Sequence, residues 1–146
     1  MYILPSGFTG NNVDLIEFDA FKSLCYSLQG LGLIQVIELY KYEYPNNYYN
    51  ALISDSVEKF NFYVNCYTSV CGFAKICDEE TVFIDKPQIE IAIIELSQKY
   101  NIISSYSLNS NAEICNLKQL NKFEKNEVKN WFPQTIGGLL FSDYFD

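Results

Sequence analysis

The chain of 146 residues has no histidine and no arginine: its ten basic residues are all lysine, set against eighteen Asp and Glu for a formal charge of -8. Without imidazole it cannot by itself build a Ser/His/Asp or Cys/His catalytic unit, a His-containing zinc site or a histidine pH switch. Without guanidinium it has no bidentate fork for phosphate or guanine and no arginine finger. The lysines are dispersed among the acids and form no basic stripe, so direct nucleic-acid binding meets an electrostatic term of the wrong sign. Missing arginine also fits A/T-rich coding, which favours the abundant Asn, Lys, Ile, Tyr and Phe. The chemical consequence is the same.

Long apolar runs are missing as well. No window approaches the ~20 residues of a membrane span, and Met1 to Gly7 has neither the basic start nor the apolar run of a signal peptide. No membrane association is expected. Cys25, Cys66, Cys71, Cys77 and Cys115 are odd in number, contain no Cys-x-x-Cys pair, and are spaced unlike a zinc knuckle. They are expected to be buried, reduced thiols in a cytoplasmic protein, with no metal or other cofactor.

What is present is apolar and aromatic: 49% of residues are hydrophobic and 16% are aromatic. That suits one domain, residues 1–146, without repeat or linker. From Asn12 to Gln29, Leu15, Phe18, Phe21, Leu24, Cys25 and Leu28 recur at three- and four-residue steps, predicting a helix with Asn12 as N-cap and Gly30 as stop. Leu33 to Tyr42 reads as a strand with Val36 and Tyr40 on one parity and Ile37 and Leu39 on the other. Tyr48–Ile53, Phe60–Tyr67, Val70–Ile76 and Thr81–Ile84 are short strands joined by connections too short for parallel crossovers.

A second helix begins at Asp85-Lys86-Pro87, its face formed by Ile89, Ala92, Ile93, Leu96 and Tyr100. Ile102–Leu108 is expected as a last strand, Asn109–Asn116 as a loop, and Phe123–Trp131 and Ile136–Phe145 as short helices, the latter capped by Thr135. The fold class is α+β: one antiparallel sheet of about five or six strands with helices packed on it.

Carboxylates are the remaining acid/base groups, and an enzyme would need two of them converging with shifted pKa values. The acids fall at strand ends and in loops, so no catalytic residue is assigned and no enzymatic activity is expected. A cysteine nucleophile would lack its histidine. Two features suit binding instead. Asp78-Glu79-Glu80, between two apolar strands, is a solvated hairpin tip or a docking point for a basic patch. Tyr44, Tyr48 and Tyr49 lie in an aromatic stretch of a kind that serves either a strand or a contact surface.

The tail Trp131-Phe132-Pro133-Gln134-Thr135-Ile136-Gly137-Gly138-Leu139-Leu140-Phe141, running on to Asp146, resembles the Trp-x-Pro-x-Thr-Ile-Gly ending of small acidic bacterial immunity proteins. These belong to polymorphic-toxin and contact-dependent growth inhibition systems. Tyr48-Tyr49-Asn50-Ala51-Leu52 and Lys59-Phe60-Asn61-Phe62-Tyr63-Val64 fit the same pattern. The resemblance implies a protein that neutralises a cognate toxin by stoichiometric binding. Many such toxins are nucleases with basic active sites. The alternative is an acidic adaptor or nucleic-acid mimic acting on another protein. The tail itself reads as structure: Leu139, Leu140 and Phe141 pack on the sheet, while Pro133 and Thr135 punctuate helices.

Overall fold

The computed structural model describes residues 5, 7–8, 16–41, 47–112, 118–122, 124–126 and 135–142. The first helix, α1, spans Phe18–Gly30 and buries Phe21, Leu24, Cys25 and Leu28. It starts at Glu17 rather than at the expected Asn12, which lies outside the described residues. Its stop is Gly32 rather than Gly30. Gly32 adopts φ +77°, its N–H donates to the Gln29 carbonyl, and Leu33 N–H reaches back to Leu28. This is a Schellman closure, whose left-handed position favours glycine.

Five strands follow as a meander: β1 (Gln35–Tyr40), β2 (Tyr48–Ser54), β3 (Lys59–Asn65), β4 (Val70–Cys77) and β5 (Glu80–Ile84). Each is antiparallel to its neighbour, in the order β1-β2-β3-β4-β5. Helix α2 (Pro87–Leu96) leads to the two-residue β6 (Asn101–Ile102), which pairs parallel with Val70 and Cys71 of β4. A parallel partner needs a crossover, and α2 supplies it. β5 occupies the same edge of β4 further along, from Phe73 to Cys77. The architecture is α+β, with one predominantly antiparallel sheet.

The parity expected for β1 fails at one point. Val36 pairs with Ile53 but Glu38 pairs with Leu52, so Ile37 is the extra residue of a bulge and Val36 and Leu39 both turn toward the core.

One face of the sheet is covered by α1 and α2. Tyr49, Phe21, Phe62 and Phe73 form a continuous ladder of stacked rings, with successive centroids 5.4, 5.7 and 5.1 Å apart. Ile89, Ala92 and Ile93 of α2 close this core, and Tyr100 joins it from beyond the helix end rather than from the helix.

The other face is covered by two five-residue helices, α3 (Ser105–Asn109) and α4 (Ile136–Leu140), with Phe8, Ala112 and Leu120. Here the expected last strand stops at Ile102. The Ser104 side chain accepts from Ser107 N–H, starting a helix that places Leu108 over Gly72, where a Cβ would collide with the Leu108 side chain. Thr135 caps α4 through Gly138 N–H as expected, but the helix ends at Leu140. A Cβ on Gly137 would run into the Phe83 ring. Residues 124–126 of the expected Phe123–Trp131 segment are helical, as is Lys122 just before it, and the rest of the segment lies outside the described residues.

Two fully buried asparagines fasten this second layer. Asn47 donates to the carbonyls of Phe8 and Leu139 and accepts from Ser142 N–H. Asn65 donates to the carbonyls of Phe8 and Leu140 while its oxygen accepts from Tyr67 and Thr68. Buried Glu124 bonds both Asn121 N–H and Gly7 N–H. No described helix is long and apolar enough to cross a membrane.

Candidate functional site

The β4–β5 hairpin outruns its core. Cys77 pairs with Glu80, leaving Asp78 and Glu79 as a two-residue loop with φ +50° and +68°. Positive φ at both central residues marks a type I′ turn, which matches strand twist and favours Asn-Gly or Asp-Gly. Glutamate at the second position costs about 1 kcal/mol relative to a right-handed conformation. The last buried pair on the hairpin is Ala74 with Phe83. Every residue from 76 to 82 is exposed, including Ile76 at 64%.

The expected contacts Asp78, Glu79 and Glu80 are therefore together and accessible at the hairpin end. None of the three has an ion-pair partner among the described residues. The nearest lysine along β4, Lys75, is already bound to Glu58 at 2.8 Å, so the tip charge is not locally neutralised.

Of the expected tyrosine contacts, Tyr49 is withdrawn from the surface. Tyr49 is fully buried, stacked on Phe21, with its hydroxyl donating to the Ile16 carbonyl. Tyr48 is half-buried on the opposite face, edge-on to Tyr63 and Phe141. Alternation along β2 sends the two rings to opposite faces, which corrects the assignment of Tyr49 to partner binding and leaves Tyr48 half-exposed. Tyr44 lies outside the described residues.

Two acids do share a cavity. A pocket of about 410 Å³ between the β2–β3 turn and the start of α2 is lined by Asp55, Asp85, Lys86, Leu33, Val57 and Ile89, among others. Lys86 Nζ lies 2.8 Å from both Asp55 and Glu58 and 4.5 Å from the Phe60 ring centroid. Partial burial acts to raise the Asp55 carboxyl, but the hydrogen bond from Lys86 and those from the Glu58 and Val57 N–H groups outweigh it and hold the group at about 2. Asp85 accepts from Ser105 N–H and Oγ. A general acid at neutral pH needs a raised carboxyl. Asp55, held low, does not meet that need, and it joins the β2–β3 turn to Lys86 at the start of α2.

Three thiols are buried as expected, Cys25, Cys66 and Cys71, whereas Cys77 is exposed at the hairpin end and Cys115 lies outside the described residues. Burial pushes Cys25 up to about 12 and raises Cys66 and Cys71 as well, so these thiols stay protonated and non-nucleophilic at neutral pH. Among the described residues no group of three His, Cys, Asp or Glu is placed to hold a metal ion.

Sequence reasoning missed the exposed apolar side chains Ile76 of the hairpin and Tyr106 of α3, the latter 85% exposed. Reading 102–108 as a strand hid Tyr106 among inward and outward positions. The Ser104-x-x-Ser107 spacing was the signal for a helix start. No family model, curated protein or solved structure matches the chain.

Proposed function

We propose that this protein is an immunity-type inhibitor that binds a cognate toxin domain one-to-one in the cytoplasm, with Asp78, Glu79 and Glu80 meeting a basic surface of that toxin. The observation that carries this reading is the projecting hairpin end: seven consecutive exposed residues, 76 to 82, tipped by three uncompensated carboxylates. A net charge of -8 adds long-range attraction to a cationic partner. A nuclease fits this chemistry, because the path it provides for phosphates is cationic and narrow enough for a two-stranded finger to obstruct. The resemblance of the Thr135-Ile136-Gly137 tail to immunity proteins supports the same class.

The turn adds a physical argument. A glycine at position 79 would relieve the positive-φ cost, so a carboxylate there gives up stability for charge. Glu79→Gly should accordingly unfold at a slightly higher temperature while binding the partner more slowly.

The direct test is co-purification with the C-terminal domain of the protein encoded immediately upstream, together with protection of cells expressing that domain. A one-to-one complex is expected, with association that slows as salt is added. Reversing charge at Asp78, Glu79 and Glu80 should reduce the association rate and its salt dependence. Absence of both complex and protection would sink the proposal; unchanged kinetics in the charge-reversed variant would remove the tip from the interface.

A further inference from the structure

Isolated helices as short as five residues are not stable in water, because nucleation is not repaid over so few bonds. α3 is nevertheless ordered, tied to Asp85 just beyond β5, to Phe83 of β5, to the core, and to α4, whose Ile136 N–H donates to the Ser110 carbonyl. Ser105 N–H and Oγ donate to Asp85 at 2.8 and 2.7 Å. The Asn109 carboxamide acts as a surrogate strand, accepting from Phe83 N–H at 2.9 Å and donating to Phe83 O at 2.8 Å. Leu108 is fully buried over Gly72. Between these fixed points Tyr106, half a helical turn from Leu108, carries its ring into solvent at 85% exposure.

The ring is thus an aromatic side chain on a backbone whose freedom is already lost, the arrangement that makes tyrosine an effective interface anchor. It also has company. α3 lies on the face of the sheet that carries Gly72 and Ala74, and Ile76, next in that alternation and 64% exposed, lies on the same face. Asp85, to which α3 is tied, is five residues from Glu80, roughly 17 Å along a strand. A standard interface covers about 800 Å² per partner, a patch roughly 30 Å wide. Tyr106, Ile76 and the acidic tip therefore fit within a single footprint.

We infer that Tyr106 and Ile76 are the apolar anchors of the partner interface, and that their occupant is a basic protein surface presenting a lysine or arginine side chain over the Tyr106 ring. Charge selects this occupant: three uncompensated carboxylates share the footprint with the apolar pair, next to Ile76, and the aromatic face of Tyr106 attracts a cation in the same sense. The inference rests on the binding function proposed above and adds a division of labour to it. The carboxylates govern encounter, and the tyrosine governs residence.

The test uses the full chain and the purified C-terminal domain of the upstream gene's product, with association and dissociation measured separately. Tyr106→Ala should weaken binding by about 30-fold or more, almost wholly through faster dissociation, at an unchanged unfolding temperature. Tyr106→Phe should bind as the unaltered protein does, because the ring and not the hydroxyl is the anchor. Ile76→Ser should show a smaller loss of the same kinetic kind. If the unaltered protein binds and Tyr106→Ala binds equally well, the anchor assignment is wrong while the inhibitor function stands. If the unaltered protein does not bind the domain at all, the function fails and the anchor falls with it.

Discussion

The layer of α1 and α2 and the layer of α3 and α4 cover opposite faces of one sheet by different means. On the first face the helices have 13 and 10 residues and bury apolar side chains at helical spacing against a ladder of stacked rings. Burial of that area is sufficient to hold them. On the second face the helices have five residues each. Segments so short bring few apolar groups, and their chain ends bring backbone carbonyls into the interior. Asn47 and Asn65 satisfy those carbonyls, while Gly72 and Gly137 permit approaches that a side chain would block. A layer can be built from area or from directed polar contacts, and this molecule does both on the same sheet.

The largest effect should come from breaking the first layer at its centre. Phe62 stacks on both Phe21 and Phe73, and Phe62→Ala is expected to cost about 3–5 kcal/mol by loss of transfer energy and creation of a cavity, read from denaturant unfolding. Asn65→Leu attacks the second layer, keeping the branched outline of the side chain while removing its polar atoms. It removes the Asn65 bonds to the Phe8 and Leu140 carbonyls and to the Tyr67 and Thr68 N–H groups, the Phe8 carbonyl keeping its bond from Asn47, for an expected loss of about 3 kcal/mol. Hydrogen exchange separates the two variants. Asn65→Leu should expose amides of α4 first, and equal loss across both layers would contradict the distinction.

A smaller effect sharpens the comparison at the edge of the first layer, where an ion cluster rather than packing joins the β2–β3 turn to α2. Asp55 is held at about 2 against an ordinary 3.8, and Glu58 is lowered by Lys75 and then Lys86. A depressed carboxyl contributes stability that is present above its ordinary value and lost as pH falls through the folded one. Stability should therefore decline between roughly pH 4 and pH 2, and Asp55→Asn should flatten that part of the profile. The smallest effect has the opposite sign. The Tyr100 hydroxyl is buried in the first layer without a hydrogen-bond partner, and burial raises it to about 12. Tyr100→Phe removes the unpaired group and should stabilise by about 1 kcal/mol; a destabilised variant would show that the hydroxyl is satisfied in solution.

The same contrast explains what could be read before the fold was known. α1, α2 and the five meander strands follow from apolar periodicity and turn residues, since long amphipathic elements carry their own burial pattern. Their ends were less legible: Gly32 rather than Gly30 closes α1 because the left-handed position, not glycine as such, stops a helix. The second layer was read poorly. Ile103 to Leu108 has the composition of a strand, and only the bonds from Ser104, Asp85 and Asn109 make part of it a helix. Of the candidate contacts, Asp78, Glu79 and Glu80 were legible because a charged cluster between apolar strands has to be a turn. Tyr49 misled because a strand covered on both faces draws even its aromatic residues inward, while its neighbour Tyr48 stays half-exposed.

Composition by itself decided which chemistries this protein lacks, the sign of its field and the α+β pattern of its longer elements, since these depend on residue type and local spacing. Only the tertiary structure decided that two asparagines hold the tail, that Asp55 and Asp85 are held by structural contacts, and that Ile76 and Tyr106 are left exposed. Those facts depend on which distant segments meet, and no local pattern encodes the partner that a buried amide or an exposed ring will find.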